Sequence, residues 1–218
     1  MGTRTHGRAV RVSERTEPLA LLVHEVRSPV AALGAIAEAS RAESIDEDAR
    51  QALVDLALAA CRAIERIVTD AAVGSVQLER TDAAAVVHES VRAAVLGGAV
   101  VRGVVEQGLP PIDADRLRLR QALDNLIANA ATHAGGEIVV RAAAAEGEVV
   151  LSVSDTGPGI PAEEHERVFE TGVRLDASNP GSGLGLAIVR AIADAHGASL
   201  TLDSDPGRGS TFSLAFPV

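Results

Sequence analysis

The feature that most constrains this chain is a change of hydrophobic period near Gly74. Before it, apolar residues recur in steps of three and four: Leu19, Leu22, Val26, Val30, Leu33 and Ala37. After the polar break SRAESIDEDAR the pattern resumes with Leu53, Leu56, Ala60, Ile64 (or Ala63), Ile67 and Ala71. Each set puts one stripe on one side of a helix. Ser44 and Glu47 have capping-box spacing, so the second helix is expected to start near them. Two narrow seams with a short connection make an antiparallel hairpin with too little core to stand alone. Pairing with a second copy into a four-helix bundle is the simple remedy, and a homodimer is therefore expected.

Beyond Gly74 strands and helices mix. VQLERTD reads as a short strand, Ala83 to Leu96 as a helix, VVRGVVE as a strand and Asp113 to His133 as a long helix. GEIVVRAAAAEGEVVLSVSDT gives two strands about a turn at Glu146-Gly147, and a Gly-rich region ends in a helix from Leu184 to His196. ASLTLDSD and STFSLAFPV close the chain as strands about Pro206-Gly207. Strict βαβ alternation is missing, so the expected fold class is α+β, a two-layer sandwich rather than a doubly wound parallel sheet. The domains expected are a tail over 1–17, weakly basic and solvated, the helical hairpin over 18–74, and the sandwich over 75–218.

Composition narrows the partners. The chain is 47% hydrophobic with three Phe and no Trp or Tyr, so its core must be aliphatic. All 20 basic residues are Arg, and a net charge of −10 argues against a nucleic-acid backbone as the main partner. A phosphate ligand must then be held by a local device. The single cysteine, Cys61, excludes an intrachain disulfide and fits a reducing compartment. No apolar run approaches the roughly 20 residues of a membrane span and no signal-peptide pattern opens the chain, so a soluble, cytoplasmic protein is expected.

Three short elements carry chemistry. In NLIAN, Asn125 and Asn129 are four apart and share a helix face. An Asn carbonyl is a hard neutral oxygen that can ligate Mg²⁺ while the rest of its octahedron stays with water and phosphate. In DTGPGI, Asp155 ends a strand, where its carboxylate can accept from an exocyclic amine, and Gly157 and Gly159 let backbone approach a flat ligand. In GSGLGLAIV, a Gly-rich turn opens a helix and offers backbone N–H groups to an anion. The last is neither a dinucleotide fingerprint nor a P-loop, since no first βαβ strand precedes it and it has no Lys.

Taken in order with VFETG, GLGLAIVRAIADAHG and GRGSTF, these elements resemble the ATP-binding domain of sensor histidine kinases, a Bergerat-type fold. HEVRSP in the first seam resembles that family's phosphoacceptor motif, and the likeness runs from about Pro18 to the C-terminus. It implies ATP and Mg²⁺ as cofactors, with Asn129 and Asn125 at the metal and phosphates and His133 beside them. Asp155 would read the adenine amine, with Gly157 and Gly159 flanking the base. Gly181, Gly183, Leu184 and Gly185 would wrap the phosphates and hinge a lid over about Ala162 to Pro180, anchored by Phe169. Arg174 would reach the γ-phosphate and Thr211 would lie near the adenine. The chain departs from the family pattern at Thr132, where a basic residue is usual, at the Thr-Gly-Val of the lid, and at Val23.

The same likeness makes His24 the nucleophile. A neutral imidazole is a fair nucleophile at pH 7, given a reference pKa of about 6.5. Glu25 is placed to accept its second proton, Pro29 removes a helical N–H beneath it, and Ser28 lies one turn on, where it could orient a water. The implied activity is an ATP-dependent protein-histidine kinase of two-component signal transduction that passes its phosphoryl group to an Asp of a response-regulator receiver domain. Two alternatives stand beside it. One is an ATPase of the wider gyrase and chaperone superfamily, which activates water with a Glu where this chain has Asn125. The other is a phosphotransfer adaptor with a degenerate nucleotide site.

Overall fold

The computed structural model describes residues 17–41, 47–73, 76–133, 136–175 and 183–218, and side chains from Val26 onward with further gaps at 47, 62, 65, 66 and 68–73. The chain divides into two compact units, residues 1–67 and 68–218, so the division falls inside the second helix.

The first unit contains α1 (Glu17–Ala39) and most of α2 (Glu47–Val73). Pro29 lies within α1, where its missing N–H leaves the carbonyl one turn earlier without its helical donor. The expected seams are only partly inward. Leu33, Leu53, Ile64 and Ile67 are half-buried and Ala60 is buried, but the buried residue near the end of α1 is Ile36, and Ala37 is exposed. Val30 and Leu56 are about half exposed, at 51% and 53%, as are Val54 and Leu58. Among the described residues no helix is long and apolar enough to cross a membrane.

The second unit is α+β. Its main sheet has the order β2 (Val101–Val105), β4 (Ile138–Ala145), β5 (Glu148–Ser154), β7 (Gly209–Pro217), β6 (Ser199–Asp205). Only β2 and β4 run parallel; the other neighbours are antiparallel. A parallel pair needs a crossover, and this one passes through β3 (Ile112–Ala114) and α4 (Arg116–His133). β1 (Glu79–Thr81) and β3 form a separate two-stranded ribbon, with Arg80 opposite Asp113.

The expected helix start at Asp113 is therefore corrected. Ile112 and Ala114 are buried and Asp113 is exposed, the period-two pattern of a strand. The helix begins three residues later because Asp115 caps it: one carboxylate oxygen accepts from the N–H groups of Leu117 (3.0 Å) and Arg118 (3.2 Å). Its other oxygen accepts from Gln77 N–H at 3.0 Å, tying the entry of β1 to the same cap. Burial works against this carboxylate, but the N–H groups of Gln77, Arg118 and Leu117 and the Arg118 charge outweigh it and hold its pKa below the usual aspartate value.

One face of the main sheet builds the core. Ile138, Val140 and Ala142 of β4, Val149, Leu151 and Val153 of β5, and Phe212, Leu214 and Phe216 of β7 are all buried. They pair across strands as Val140↔Val153↔Phe212 and Ala142↔Leu151↔Leu214. Against them pack α3 (Ala83–Leu96), through Val86 and Val87, α4, through Leu119, Leu123 and Leu126, and α5 (Gly185–His196), through Val189 and Ile192. All three Phe, 169, 212 and 216, are buried there. His196, buried at the end of α5, donates from Nδ1 to the Ile192 carbonyl (2.7 Å) and accepts the Asp115 N–H at Nε2 (3.0 Å). This neutral tautomer locks the end of α5 to the start of α4.

Candidate functional site

A cavity of about 500 Å³ opens between α4, the end of the sheet and the start of α5. That size suits a small-molecule ligand such as a nucleotide. Three parts of the chain supply most of its lining.

The first is one face of α4. Asn125, Asn129, Thr132 and His133 all line the cavity, as the spacing of four and then three or four along a helix requires. The amide nitrogen of Asn125 is buried and has no hydrogen-bond partner among the described residues. A buried donor without a partner costs about 1–3 kcal/mol, so this atom marks where a ligand acceptor would be welcome. Thr132 donates its hydroxyl proton to the Ala128 carbonyl at 2.8 Å, so at this position, where the family pattern has a basic residue, the cavity meets only hydroxyl lone pairs.

The second part is the turn after β5. Asp155 lines the cavity and bends the chain by accepting the Gly157 N–H (2.8 Å), an Asx turn. Gly159 also lines it, while Gly157 does not. The need for glycine at 159 comes from the protein itself. Its φ is +72°, and a Cβ would overlap the Asp205 carbonyl oxygen and lie 2.6 Å from that carbonyl carbon. Its absent side chain lets the turn lie against the end of β6. Further bonds clasp the two segments: Gly207 N–H to the Pro158 carbonyl (2.6 Å), Asp155 N–H to the Ser210 carbonyl (2.9 Å) and Ile160 N–H to Ser204 Oγ (2.8 Å). His165 Nε2 bonds the Ile160 carbonyl at 3.0 Å and holds the far end.

The third part is the N-terminus of α5. Gly185 and Leu186 line the cavity, with Gly183, Val173, Arg174 and Leu175 beside them. A Cβ on Gly185 would meet nothing within 4 Å, so the first turn of α5 is open on that side. Such a helix start favours an anion. Gly183 (φ +71°) accepts the Gly172 N–H at 3.2 Å, and a Cβ there would lie 2.8 Å from the Gly172 carbonyl carbon. Leu184 caps α5 and does not line the cavity. Gly181 lies outside the described residues.

Phe169 also stays out of the cavity; its neighbour Val168 lines it. The Phe169 ring is buried, edge-on to Phe212 with centroids 6.0 Å apart, and the Arg190 guanidinium lies over it at 4.9 Å. Thr211 is on the opposite face of the sheet, where its hydroxyl donates to Ser154 at 3.0 Å. Ser210, one residue earlier, is the residue that lines the cavity. Sequence reasoning missed Ser210 and Ser204. The alternation of Phe212, Leu214 and Phe216 already put position 210 on the inward face, so that signal was present. His24 and Glu25 lie on α1, and their side chains are outside the described residues; Ser28 is exposed on the same helix. Among the described residues no group of three acidic, His or Cys side chains is arranged to hold a metal.

Residues 114–218 match the family described as Histidine kinase-, DNA gyrase B-, and HSP90-like ATPase. The sensor protein IrlS of Burkholderia pseudomallei is 37% identical across 96% of this chain and 48% of that protein. This chain thus spans about half the length of that curated relative. Among solved structures, full-length ShkA in complex with AMPPNP superposes with a TM-score of 0.64 at 28% identity, over 92% of this chain and 45% of that one. The mycobacterial sensor histidine kinase MprB gives 0.57 at 32% identity, over 65% of this chain and 97% of that one. With MprB 32% identical and matched over 97% of its own chain, this chain belongs to the sensor histidine kinase family.

Proposed function

We propose that the cavity binds Mg·ATP and that the chain is an ATP-dependent protein-histidine kinase that phosphorylates His24. The observation that carries the nucleotide reading is the joint lining of one cavity by Asn125 and Asn129, by Asp155, and by the open start of α5. These supply an amide face, a carboxylate acceptor and an anion site, matching a metal–phosphate group, a base amine and a phosphate tail.

The residues fit a magnesium ion of limited protein ligation. Asn129 and Asn125 would hold it through amide oxygens, with waters and phosphate oxygens as its other ligands. When bound, Mg²⁺ neutralises charge on the β- and γ-phosphates. The Asn125 amide nitrogen would donate to a phosphate oxygen, Arg174 and the α5 N–H groups would hold the phosphate tail, and Asp155 would accept from the base amine. Bonding and charge stabilisation of this kind supply most of the catalysis in phosphoryl transfer.

In the transfer, one ring nitrogen of neutral His24 attacks the γ-phosphorus. The bond to the β–γ bridging oxygen breaks, and ADP leaves with the electron pair. The other ring nitrogen then gives its proton to Glu25. Ser28, exposed one turn along α1, would orient a water for the reverse hydrolysis. The phosphoryl group then passes to an Asp of a response-regulator receiver domain. Pairing of two hairpins into a four-helix bundle is supported by the exposed Val30, Val54, Leu56 and Leu58 on the first unit.

Asn125 also separates this reading from an ATPase: an amide cannot take a proton from water. The test is incubation with γ-labelled ATP and Mg²⁺. Label on the protein that survives alkali and is lost in acid supports the kinase. Steady release of phosphate with no phosphoprotein supports the ATPase instead. Failure to bind Mg·ATP at millimolar concentration overturns both.

A further inference from the structure

We infer that Ser204, which does not line the cavity, is a positioning residue that fixes the hydrogen-bonding polarity of Ser210 and so selects the nucleobase; this rests on the nucleotide reading above. Three groups surround the Ser204 hydroxyl, and each constrains it. The Ile160 backbone N–H, 2.8 Å away, can only donate to it. The Gly209 carbonyl, also at 2.8 Å, can only accept from it. Ser204 has a single hydroxyl proton, and that proton goes to Gly209. Toward Ser210 Oγ, 2.9 Å away, Ser204 therefore can only accept. The Ser210 proton is committed to Ser204 in turn.

Ser210 is 7% exposed and lines the cavity next to Asp155, whose N–H bonds the Ser210 carbonyl. With its proton spent inward, Ser210 has only lone pairs left for a ligand. Asp155 has one oxygen on the Gly157 N–H and also offers only acceptors. This end of the cavity thus presents two acceptors and no hydroxyl donor. A base edge bearing an amine satisfies it, while a base edge bearing a carbonyl oxygen faces lone pairs. The preference for a 6-amino over a 6-oxo purine is set partly by Ser204, a residue beyond the ligand's reach.

Removing the Ser204 hydroxyl releases the Ser210 proton to turn toward the cavity and donate to a 6-oxo group. The experiment measures Kd for Mg·ADP and Mg·IDP by calorimetry on the full chain, in wild type, Ser204→Ala and Ser204→Thr. The expected result is an ADP preference that falls about tenfold in Ser204→Ala, the worth of one hydrogen bond gained, and is kept in Ser204→Thr. A structural defect alone would weaken both ligands equally and leave their ratio unchanged, and that result overturns the inference while the nucleotide reading stands. Wild type binding neither ligand overturns the nucleotide reading and the inference with it. If Ser204→Ala does not fold, Ser204→Cys replaces it, because its sulfur is a weak acceptor for the Ser210 proton. An unchanged ratio in that variant overturns the inference.

Discussion

Gly159→Ala tests how the cavity wall is built. The position has φ +72°, and a Cβ would press on the carbonyl of Asp205 and lie 3.1 Å from the Cα of Pro206, both backbone atoms that no rotamer change can move aside. The left-handed conformation costs an L-residue about 1–2 kcal/mol. Separating the turn from the β6–β7 hairpin also breaks the bonds from Gly207 N–H to Pro158 and from Ile160 N–H to Ser204, at about 1 kcal/mol each. The sum is about 3–4 kcal/mol, a large share of the roughly 5–15 kcal/mol that holds a typical domain. Gly147→Ala is the control: φ is +86°, but a Cβ there meets nothing within 4 Å, so only the backbone term of about 1–2 kcal/mol applies. Since the chain has no Trp or Tyr, urea unfolding is best followed on the NMR amide signals of β5 and β7. At a slope of about 2 kcal/mol/M, the Gly159 midpoint should fall about 1 M further than that of Gly147. Equal losses in the two variants would refute the steric argument.

Asp115 gives a pH test. Its folded pKa is depressed, so its contribution is complete above the unfolded aspartate value and is lost as pH falls through the lower folded one. Urea midpoints measured from pH 6 down to pH 3 should drop less steeply for Asp115→Asn than for wild type, and Asp115→Ala should cost about 1 kcal/mol at pH 7 for the lost cap. Phe169→Ala removes a buried ring packed on Phe212 and under Arg190, and thermal unfolding should report a loss of about 3–5 kcal/mol. Asn129→Ala should weaken Mg·ADP about tenfold to hundredfold by calorimetry while leaving the melting temperature of the ligand-free protein within a few degrees, the pattern of a residue that acts on the ligand and not on the fold.

Local signals were legible in the sequence and distant ones were not. The helix Ala83–Leu96 follows from Asp82, whose carboxylate accepts the Ala85 N–H, and from the Gly97 stop. The β4–β5 hairpin follows from a two-residue turn in which both Glu146 and Gly147 have positive φ. The ribbon strand β3 was hidden because three residues hold too little pattern, and its partner β1 lies 33 positions away. The glycine requirement at 159 was legible as a motif but not as a cause, since Asp205 reaches it only after the sheet has formed. His165 and His196 read as bland residues, yet His165 braces its own loop on the Ile160 carbonyl and His196 joins the end of α5 to the start of α4, 81 residues away. Ser204 carries no sequence signal at all; its meaning lies in three neighbours, of which Ile160 is 44 residues away. In the first unit, the heptad-like seams located both helices, but which apolar residues face inward depends on packing that a single hairpin does not complete.

The central claim is that a phosphoryl group moves from ATP in the cavity to His24. Its most direct test is mapping the phosphate after incubation with Mg·ATP, by mass spectrometry under alkaline conditions that preserve a phosphohistidine, in wild type and His24→Gln. Phosphate on His24 in wild type, and no phosphoprotein in the variant, is the result expected. Phosphate on another residue, or undiminished phosphorylation of His24→Gln, would contradict the claim.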